Sequence, residues 1–250
     1  YKIQNHFIKK IINDSTAISA ANEYEKEIFL DINQKSNIKI IRNGVNLETL
    51  VSKQNFREKY QIYSKFVLFV GRFSKSKGIE TLIHSFNKIK NEKKIDTKLV
   101  IMGVDFGFEK EMERLIEKFN LSDEILVIKN PPREDVISAY GESEFLILPS
   151  QWELSPLVPL ESFAFKKPVI STRSHGIPFT VKDGKTGILV EPENPDELSN
   201  AITKLQLDDK LRKQLGMSGY DFVHEECNCI SMAKNSLKLY EQVSENNDNK

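Results

Sequence analysis

Short apolar runs alternate along the chain with longer segments in which apolar residues recur at helical spacing. The apolar runs predict strands near residues 66–70, 98–102, 125–129, 145–148, 168–172 and 187–190. The amphipathic segments predict helices near residues 78–92, 108–119, 133–141, 157–166 and 195–206. Because strand and helix alternate throughout, we expect an α/β domain of parallel strands joined by right-handed crossovers, with helices on both faces.

The stretch most informative about a binding site runs from Pro149 to Thr172 and contains two glutamates, Glu153 and Glu161. Glu153 falls in the loop after a predicted strand, and Glu161 lies one turn inside the next helix. In open α/β sheets, ligands bind beyond the carboxyl ends of the strands. A carboxylate such as that of Glu161 can accept two hydrogen bonds from the vicinal diol of a ribose.

The start of that helix is a candidate phosphate site. Pro159 has no N–H group, so it fits best in the first helical turn, which places the start near Pro156 or Leu157. The backbone amides of Leu157 and Val158 are then among the unpaired donors at the positive end of the helix dipole. Such donors favour a phosphate group.

A second polar loop follows the predicted strand Phe66–Val70. It begins at Gly71 and contains Arg72 and Lys77, and a helix comes directly after it. Since parallel strands end at the same sheet edge, these cations are expected near Glu153. The planar fork of an arginine and the point charge of a lysine both suit a diphosphate.

Each of these features also has an ordinary structural explanation. Two glutamates at this spacing occur often by chance, and glutamates on helix surfaces are mostly solvated. Arg72 and Lys77 can form a solvated basic loop. The turns at Met102 and Asn130 lie at the same edge as candidate neighbours of a base and phosphates, and Arg133 can equally be an exposed arginine at a helix start.

Composition narrows the class of protein. The 250 residues include 36 basic and 36 acidic side chains, so a net charge of zero gives no general attraction to nucleic acid or anionic lipid. No apolar run is long enough to span a bilayer and no signal peptide is visible, which favours a cytoplasmic protein. Cys227 and Cys229 are expected to be an inert or weakly reactive pair within a helix. With scattered histidines, they indicate no metal site.

Three segments, in order, resemble one family. They are VGRFSKSKGIETLI, PSQWELSPLVPLESFAFKKPVIST and DGKTGILVEPENPDELSNAI. Together they resemble the C-terminal, nucleotide-sugar-binding half of a family 4 glycosyltransferase of the GT-B fold. This half is a Rossmann-like parallel sheet with helices on both faces, and the resemblance runs from about Ile41 to Tyr240.

The resemblance implies roles for individual residues. Arg72 and Lys77 match the basic pair that holds the donor diphosphate, Glu161 matches the glutamate that binds the ribose hydroxyls, and Glu153 matches the glutamate near the transferred sugar. The implied catalytic residues are Glu153, Arg72 and Lys77. The implied donor-binding residues are Gly71, Arg72, Lys77, Arg133, Glu153, Ser155, Leu157, Val158 and Glu161. Family members retain the anomeric configuration and generally need no metal or other cofactor, because the basic pair and the helix end supply the electrostatic stabilisation.

This chain departs from the family pattern at two places. The common Gly-Phe-Gly after the first glutamate is replaced by a segment with Ser155, for which two roles are open: capping the helix or binding a donor hydroxyl. In the common Gly-Gly-x-Pro-Glu segment, His175 replaces a glycine and Phe179 replaces the glutamate. His175 is expected to be a loop residue, with contact to donor sugar or acceptor as the alternative.

The resemblance also divides the chain. Residues 1–45 resemble the end of the family's N-terminal, acceptor-binding domain and the linker, and residues 46–225 the donor-binding domain. Residues 226–243 are expected to be a helix that crosses back toward the first domain, and residues 244–250 a disordered tail. Most of the first domain is then missing, so the sequence predicts a truncated protein, a partial gene or one half of a split enzyme.

Three functions remain open at this point. The first is an enzyme of glycan biosynthesis that moves a sugar from a nucleoside-diphosphate sugar to a hydroxyl acceptor with retention. The second is a nucleotide-sugar-binding half that is inactive until a separate N-terminal domain joins it. The third is a sheet scaffold whose site has decayed. By family analogy, the partners are the nucleotide sugar, a hydroxyl acceptor and the missing domain, through which the protein would reach the cytoplasmic face of a membrane.

Overall fold

A computed structural model of the protein describes residues 2–92 and 95–248. A small parallel sheet near the N-terminus pairs Ile18–Ala20 (β1) with Ile38–Ile40 (β2). The strands of the main sheet are Phe66–Val70 (β3), Lys98–Gly103 (β4), Ile125–Lys129 (β5), Leu146–Leu148 (β6), Val169–Thr172 (β7) and Gly187–Val190 (β8). All six lie in one parallel sheet, in the order β5-β4-β3-β6-β7-β8.

Helices precede, connect and follow these strands. In chain order they are Lys2–Asp14 (α1), Glu23–Ile32 (α2), Phe56–Lys59 (α3), Ile79–Glu92 (α4), Glu109–Lys118 (α5), Arg133–Glu142 (α6), Val158–Ala164 (α7), Ile177–Thr180 (α8), Pro195–Leu207 (α9), Asp209–Glu225 (α10) and Cys229–Asp248 (α11). The predicted α/β fold with a six-stranded parallel sheet is confirmed. Within the part of the chain described, no helix has both the length and the apolar character needed to cross a bilayer.

The sheet separates two hydrophobic cores. Successive side chains of a strand point to opposite faces, so Val67 and Phe69 pack with α4, α5 and α9, whereas Phe66 and Leu68 pack with α6, α7 and α10. All four of these side chains are fully buried. Burial on both faces explains why the strands are continuous apolar runs rather than alternating ones.

The strand order reverses between β3 and β6. From β3 the chain builds outward through β4 and β5, then returns to the other side of β3 and builds β6, β7 and β8. The loops at the carboxyl ends of β3 and β6 therefore meet. The amide of Gln151 donates to the carbonyl of Ser76 at 2.8 Å. Gly78 has φ +70°, and a Cβ there would lie 1.9 Å from the carbonyl oxygen of Pro149, so only glycine fits this contact.

The C-terminal prediction needs correction in two respects. The helix expected over residues 226–243 begins at Cys229, because the backbone around Val45 pairs with the chain between α10 and α11. The Val45 amide donates to the Cys227 carbonyl and the Cys229 amide donates to the Val45 carbonyl, both at 3.0 Å. Cys227 thus lies in the break rather than within a helix. The tail predicted to be disordered from residue 244 is helical as far as Asp248, since solvated polar residues can extend a helix that earlier turns have nucleated. Residues 249 and 250 lie outside the described residues.

Candidate functional site

Lys77 and Glu153 form an ion pair where the strand order reverses. Lys77 ends a short 3-10 turn after β3, and Glu153 lies in the loop after β6. The Glu153 Oε1 atom also accepts a hydrogen bond from the Ser150 hydroxyl at 3.1 Å. The two charged side chains are only 15% and 16% exposed. The predicted phosphate-binding cation and the predicted sugar-binding carboxylate thus belong to one cluster, largely shielded from solvent.

Glu161, on α7, is held by a second set of contacts. Arg133 donates to both of its oxygens, from Nη1 at 3.2 Å and from Nη2 at 2.6 Å. The hydroxyl of Tyr140 donates to Oε2 at 2.8 Å. Tyr140 is fully buried, and this burial, followed by the nearby charge of Glu161, raises the pKa of Tyr140 well above its ordinary value. The tyrosine is therefore a hydrogen-bond donor over the whole physiological pH range.

Both partners of the Glu161 carboxylate lie on α6, whose position is fixed by contacts on two sides. The ring of Tyr140 stacks on that of Phe165, at the end of α7, with centroids 6.2 Å apart and an interplanar angle of 15°. On the opposite side, Lys59 Nζ and the Tyr60 hydroxyl donate to Asp135 at 2.7 and 2.5 Å. These contacts join α6 to α7 and to α3.

Arg72 makes a different contact from the other predicted cations. Its guanidinium carbon lies 4.9 Å from the centre of the Phe106 ring, a cation–π geometry. Phe106 belongs to the loop after β4, which is bonded to the β3 loop through Phe73: the Phe73 amide donates to Val104 at 2.7 Å, and the Phe106 amide donates back to Phe73 at 2.9 Å. The side chain of Arg72 is therefore positioned jointly by the loops after β3 and β4.

The loop that contains Glu153 is fixed by its backbone. Three successive carbonyl groups, Glu153–Ser155, accept hydrogen bonds from the Gly176 amide at 3.0 Å, from Asn22 Nδ2 at 2.6 Å and from Asn43 Nδ2 at 3.2 Å. A Cβ at Gly176 would lie 1.7 Å from the carbonyl oxygen of Leu154. Segments far apart in sequence thus converge on this loop.

The start of α7 differs slightly from the prediction. The helix begins at Val158, with Leu157 as its cap residue and Pro159 in the first turn, as expected from the missing N–H group. No side chain makes a capping hydrogen bond at this end, so the capping role considered for Ser155 is wrong. The other role of Ser155, at a donor hydroxyl, and the phosphate role of the Leu157 and Val158 amides stay predictions.

Comparison with known proteins identifies the family of the chain. Residues 52–222 match the family described as glycosyl transferases group 1. The chain belongs to the group 1 glycosyl transferases. An uncharacterized glycosyltransferase of Methanocaldococcus jannaschii is 33% identical over 242 residues, which cover 96% of this chain and 63% of that relative.

Solved structures resemble this group 1 glycosyl transferase over nearly its whole length. Sucrose-phosphate synthase from Thermosynechococcus elongatus matches with a TM-score of 0.86 at 25% identity, over 97% of this chain and 62% of that one. The Anabaena protein HepE, solved in complex with UDP-glucose, matches with a TM-score of 0.79 at 17% identity, over 95% of this chain and 69% of HepE. The chain spans 63% of the Methanocaldococcus jannaschii relative and 38% of the D-inositol 3-phosphate glycosyltransferase of Corynebacterium jeikeium, so both relatives are longer than the chain.

In this group 1 glycosyl transferase, His175 lies in the loop after β7, as the sequence predicts. Its φ of +50° is rare for a residue other than glycine, which agrees with a glycine at this position of the family pattern. The imidazole ring is exposed and contacts the rings of Tyr24 and Trp152 edge to face, at 5.5 and 5.8 Å. Contact of His175 with a sugar stays a prediction.

Several residues of the site were not found by sequence reasoning. Tyr140 falls within an apolar helix pattern, which predicts only a buried core residue. Its hydrogen bond to Glu161 distinguishes it from the other core residues, and the structure is needed to see that bond. Phe106 has a weak signal, as an aromatic residue in a polar loop next to Asp105, whose carboxylate caps the start of α5. In the described residues, no group of three or more His, Cys, Asp or Glu side chains is arranged to hold a metal ion. Metal independence stays a prediction.

Proposed function

We propose that this chain binds a nucleoside-diphosphate sugar and forms the donor-binding part of a family 4 glycosyltransferase. The reaction would transfer the sugar to a hydroxyl acceptor with retention of configuration, without a metal or other cofactor. The main support is the Lys77–Glu153 pair at the reversal of strand order, where open α/β sheets bind ligands. A second paired carboxylate, Glu161, lies on the helix that follows the same loop.

The charges of the site suit the departure of a nucleoside diphosphate. Negative charge builds on the leaving phosphate, and Arg72 and Lys77, together with the amides of Leu157 and Val158, would stabilise it. The charge of Lys77 is paired with that of Glu153. A bound phosphate would draw Lys77 toward itself and leave the Glu153 carboxylate available to a sugar hydroxyl. Donor binding would thereby prepare the sugar site.

The alternative is a binding half that turns over nothing until a further domain is present. The chain spans 63% of the Methanocaldococcus relative and 62% of the sucrose-phosphate synthase. A turnover assay of this chain, with and without the remaining part of such a protein, separates the two. Activity that appears only on mixing supports the alternative, and activity of the chain alone contradicts it.

The first test is calorimetric titration with UDP, GDP and ADP, and then with the matching sugar nucleotides. UDP is the first choice because HepE was solved with UDP-glucose. We expect saturable binding, which Arg72→Ala weakens by about tenfold to a hundredfold, the equivalent of one charged hydrogen bond. Arg114→Ala is the control, since Arg114 pairs with Glu111 on the surface of α5. No binding by a folded chain, or equal binding by the Arg72 variant, contradicts the proposal.

A further inference from the structure

The carboxylate of Glu161 has two partners of very different exposure. Arg133 donates two hydrogen bonds to it, yet the Arg133 side chain is 53% exposed. Tyr140 donates one hydrogen bond and is fully buried. An exposed guanidinium can turn into solvent at little cost, whereas Tyr140 cannot move without opening a cavity between α6 and α7. Arg133 is therefore the exchangeable partner, and Tyr140 the fixed one.

The number of hydrogen bonds that Glu161 can accept also indicates that Arg133 is the exchangeable partner. A carboxylate has about four lone-pair sites for hydrogen bonds. Arg133 and Tyr140 together occupy three of them. A vicinal diol that binds through both hydroxyls needs two sites, so one existing bond must break. The bond that breaks is one from Arg133, because its side chain has solvent to move into.

We propose that Tyr140 is a positioning residue for a ribose: its hydroxyl fixes the orientation of Glu161, and the diol replaces one of the two Arg133 hydrogen bonds on that carboxylate. This inference rests on the proposed function, since it takes the ligand to be a nucleoside diphosphate. The stacking of Tyr140 on Phe165 holds its hydroxyl in place. Burial, and then the charge of Glu161, raises the pKa of Tyr140, so the hydroxyl keeps the proton that it donates.

The test measures discrimination rather than affinity alone. Whichever of UDP, GDP and ADP binds most tightly is titrated beside its 2′,3′-dideoxy analogue. The quantity compared is the Kd of the analogue divided by the Kd of the parent nucleotide. Glu161→Gln is expected to bring this ratio close to one. Tyr140→Phe is expected to lower the ratio by about fivefold to tenfold, less than the full effect of a hydrogen bond to a charged group, because Tyr140 acts on the ribose only through Glu161.

Tyr60→Phe is the matched control. Tyr60 also donates its hydroxyl to a carboxylate on α6, that of Asp135, at 2.5 Å. Its loss should leave the ratio unchanged, because Asp135 faces α3 rather than α7. Arg133→Ala should keep the ratio or raise it, because the diol then has no competitor for Glu161.

The outcomes distinguish a failure of nucleotide binding from a failure of the role given to Tyr140. If the folded chain binds no nucleotide, the proposed function fails and the inference fails with it. If nucleotides bind but Glu161→Gln leaves the ratio unchanged, the ribose role of Glu161 is wrong. If only the Tyr140 part is wrong, Tyr140→Phe leaves the ratio unchanged or weakens both nucleotides equally, as a merely structural residue would. A ratio close to one in Arg133→Ala would show that Arg133, rather than Tyr140, holds Glu161 in position. This result would contradict the proposal.

Discussion

Lys77 Nζ lies against Glu153 Oε1, so the side chain predicted to hold phosphate neutralises the side chain predicted to face the sugar. Isolated charges at this depth would be costly, and pairing offsets much of that cost. A ligand that binds to either group has to compete with this pairing. The pair makes the contributions of the two residues interdependent, and substitutions on either side should show this.

Glu153→Gln should leave the affinity for a bare nucleoside diphosphate unchanged or tighten it by about twofold to fivefold, because Lys77 loses a competitor of modest strength. Turnover by an active enzyme should fall. Calorimetry and a sugar-transfer assay measure the two effects. Glu193→Gln, which alters a neighbouring carboxylate bonded to Gln151, serves as the control. A large loss of nucleotide affinity in Glu153→Gln would show that the carboxylate is needed for more than the sugar.

Phe106→Ala should weaken binding of a nucleoside diphosphate by about twofold to fivefold, since an exposed cation–π contact is worth about 0.5–1 kcal/mol. The ring places the Arg72 guanidinium, and it is itself largely exposed, so the melting temperature should change little. Val104→Ala removes an exposed apolar side chain from the same loop and is the control. Equal affinity of the Phe106 variant and the natural protein would remove the ring from the donor site.

Gly176→Ala should lower the free energy of unfolding by about 1–3 kcal/mol, because its Cβ would overlap the carbonyl of Leu154 and push on the Glu153 loop. Gly141→Ala is a matched comparison within α6, where a Cβ meets only ordinary contacts at 3.6 Å. It should stabilise the protein by about 0.5–1 kcal/mol through its better helix propensity. Urea unfolding monitored by circular dichroism measures both. The idea fails if the two variants are equally stable.

The two cysteines should differ in reactivity. Burial raises the pKa of Cys227 to about 11, with Arg42 lowering it and Glu226 raising it to smaller extents. At pH 8 about one Cys227 thiol in a thousand is then ionised, so iodoacetamide should modify Cys229 first. Peptide mass spectrometry after timed labelling distinguishes them, and the rate at Cys227 should rise with pH toward 11. Equal rates at pH 8 would contradict the burial of Cys227.

Local patterns were sufficient to predict the six strands of the main sheet and the loops that carry Lys77 and Glu153. The six strands are confirmed to within one residue at each end, because a strand buried on both faces must be an apolar run. Lys77 and Glu153 were expected to lie at one edge because parallel strands share their carboxyl ends. The sequence did not predict that these two residues pair with each other, or that Arg133 pairs with Glu161. Those contacts depend on the strand order and on how α6 packs against α7, which no local period encodes.

The same reasoning explains the errors at the ends of helices. Whether Ser155 caps α7 depends on the path of the preceding loop, and that path is set by Asn22 and Asn43, more than a hundred residues earlier in the chain. The break between α10 and α11 likewise follows from backbone pairing with Val45. Long-range hydrogen bonds of this kind leave no trace in hydrophobic periodicity.

The bonds from Asn22 and Asn43 bear on how such proteins can be recombined. Both asparagines precede residue 52, where the match to the family begins, yet they donate to the carbonyls next to Glu153. A chimera that joined residues 52–222 to a foreign N-terminal segment would leave those two carbonyls without their donors. The part of the chain that holds this site is therefore larger than residues 52–222, and successful grafts should carry both asparagines with the loop that they hold.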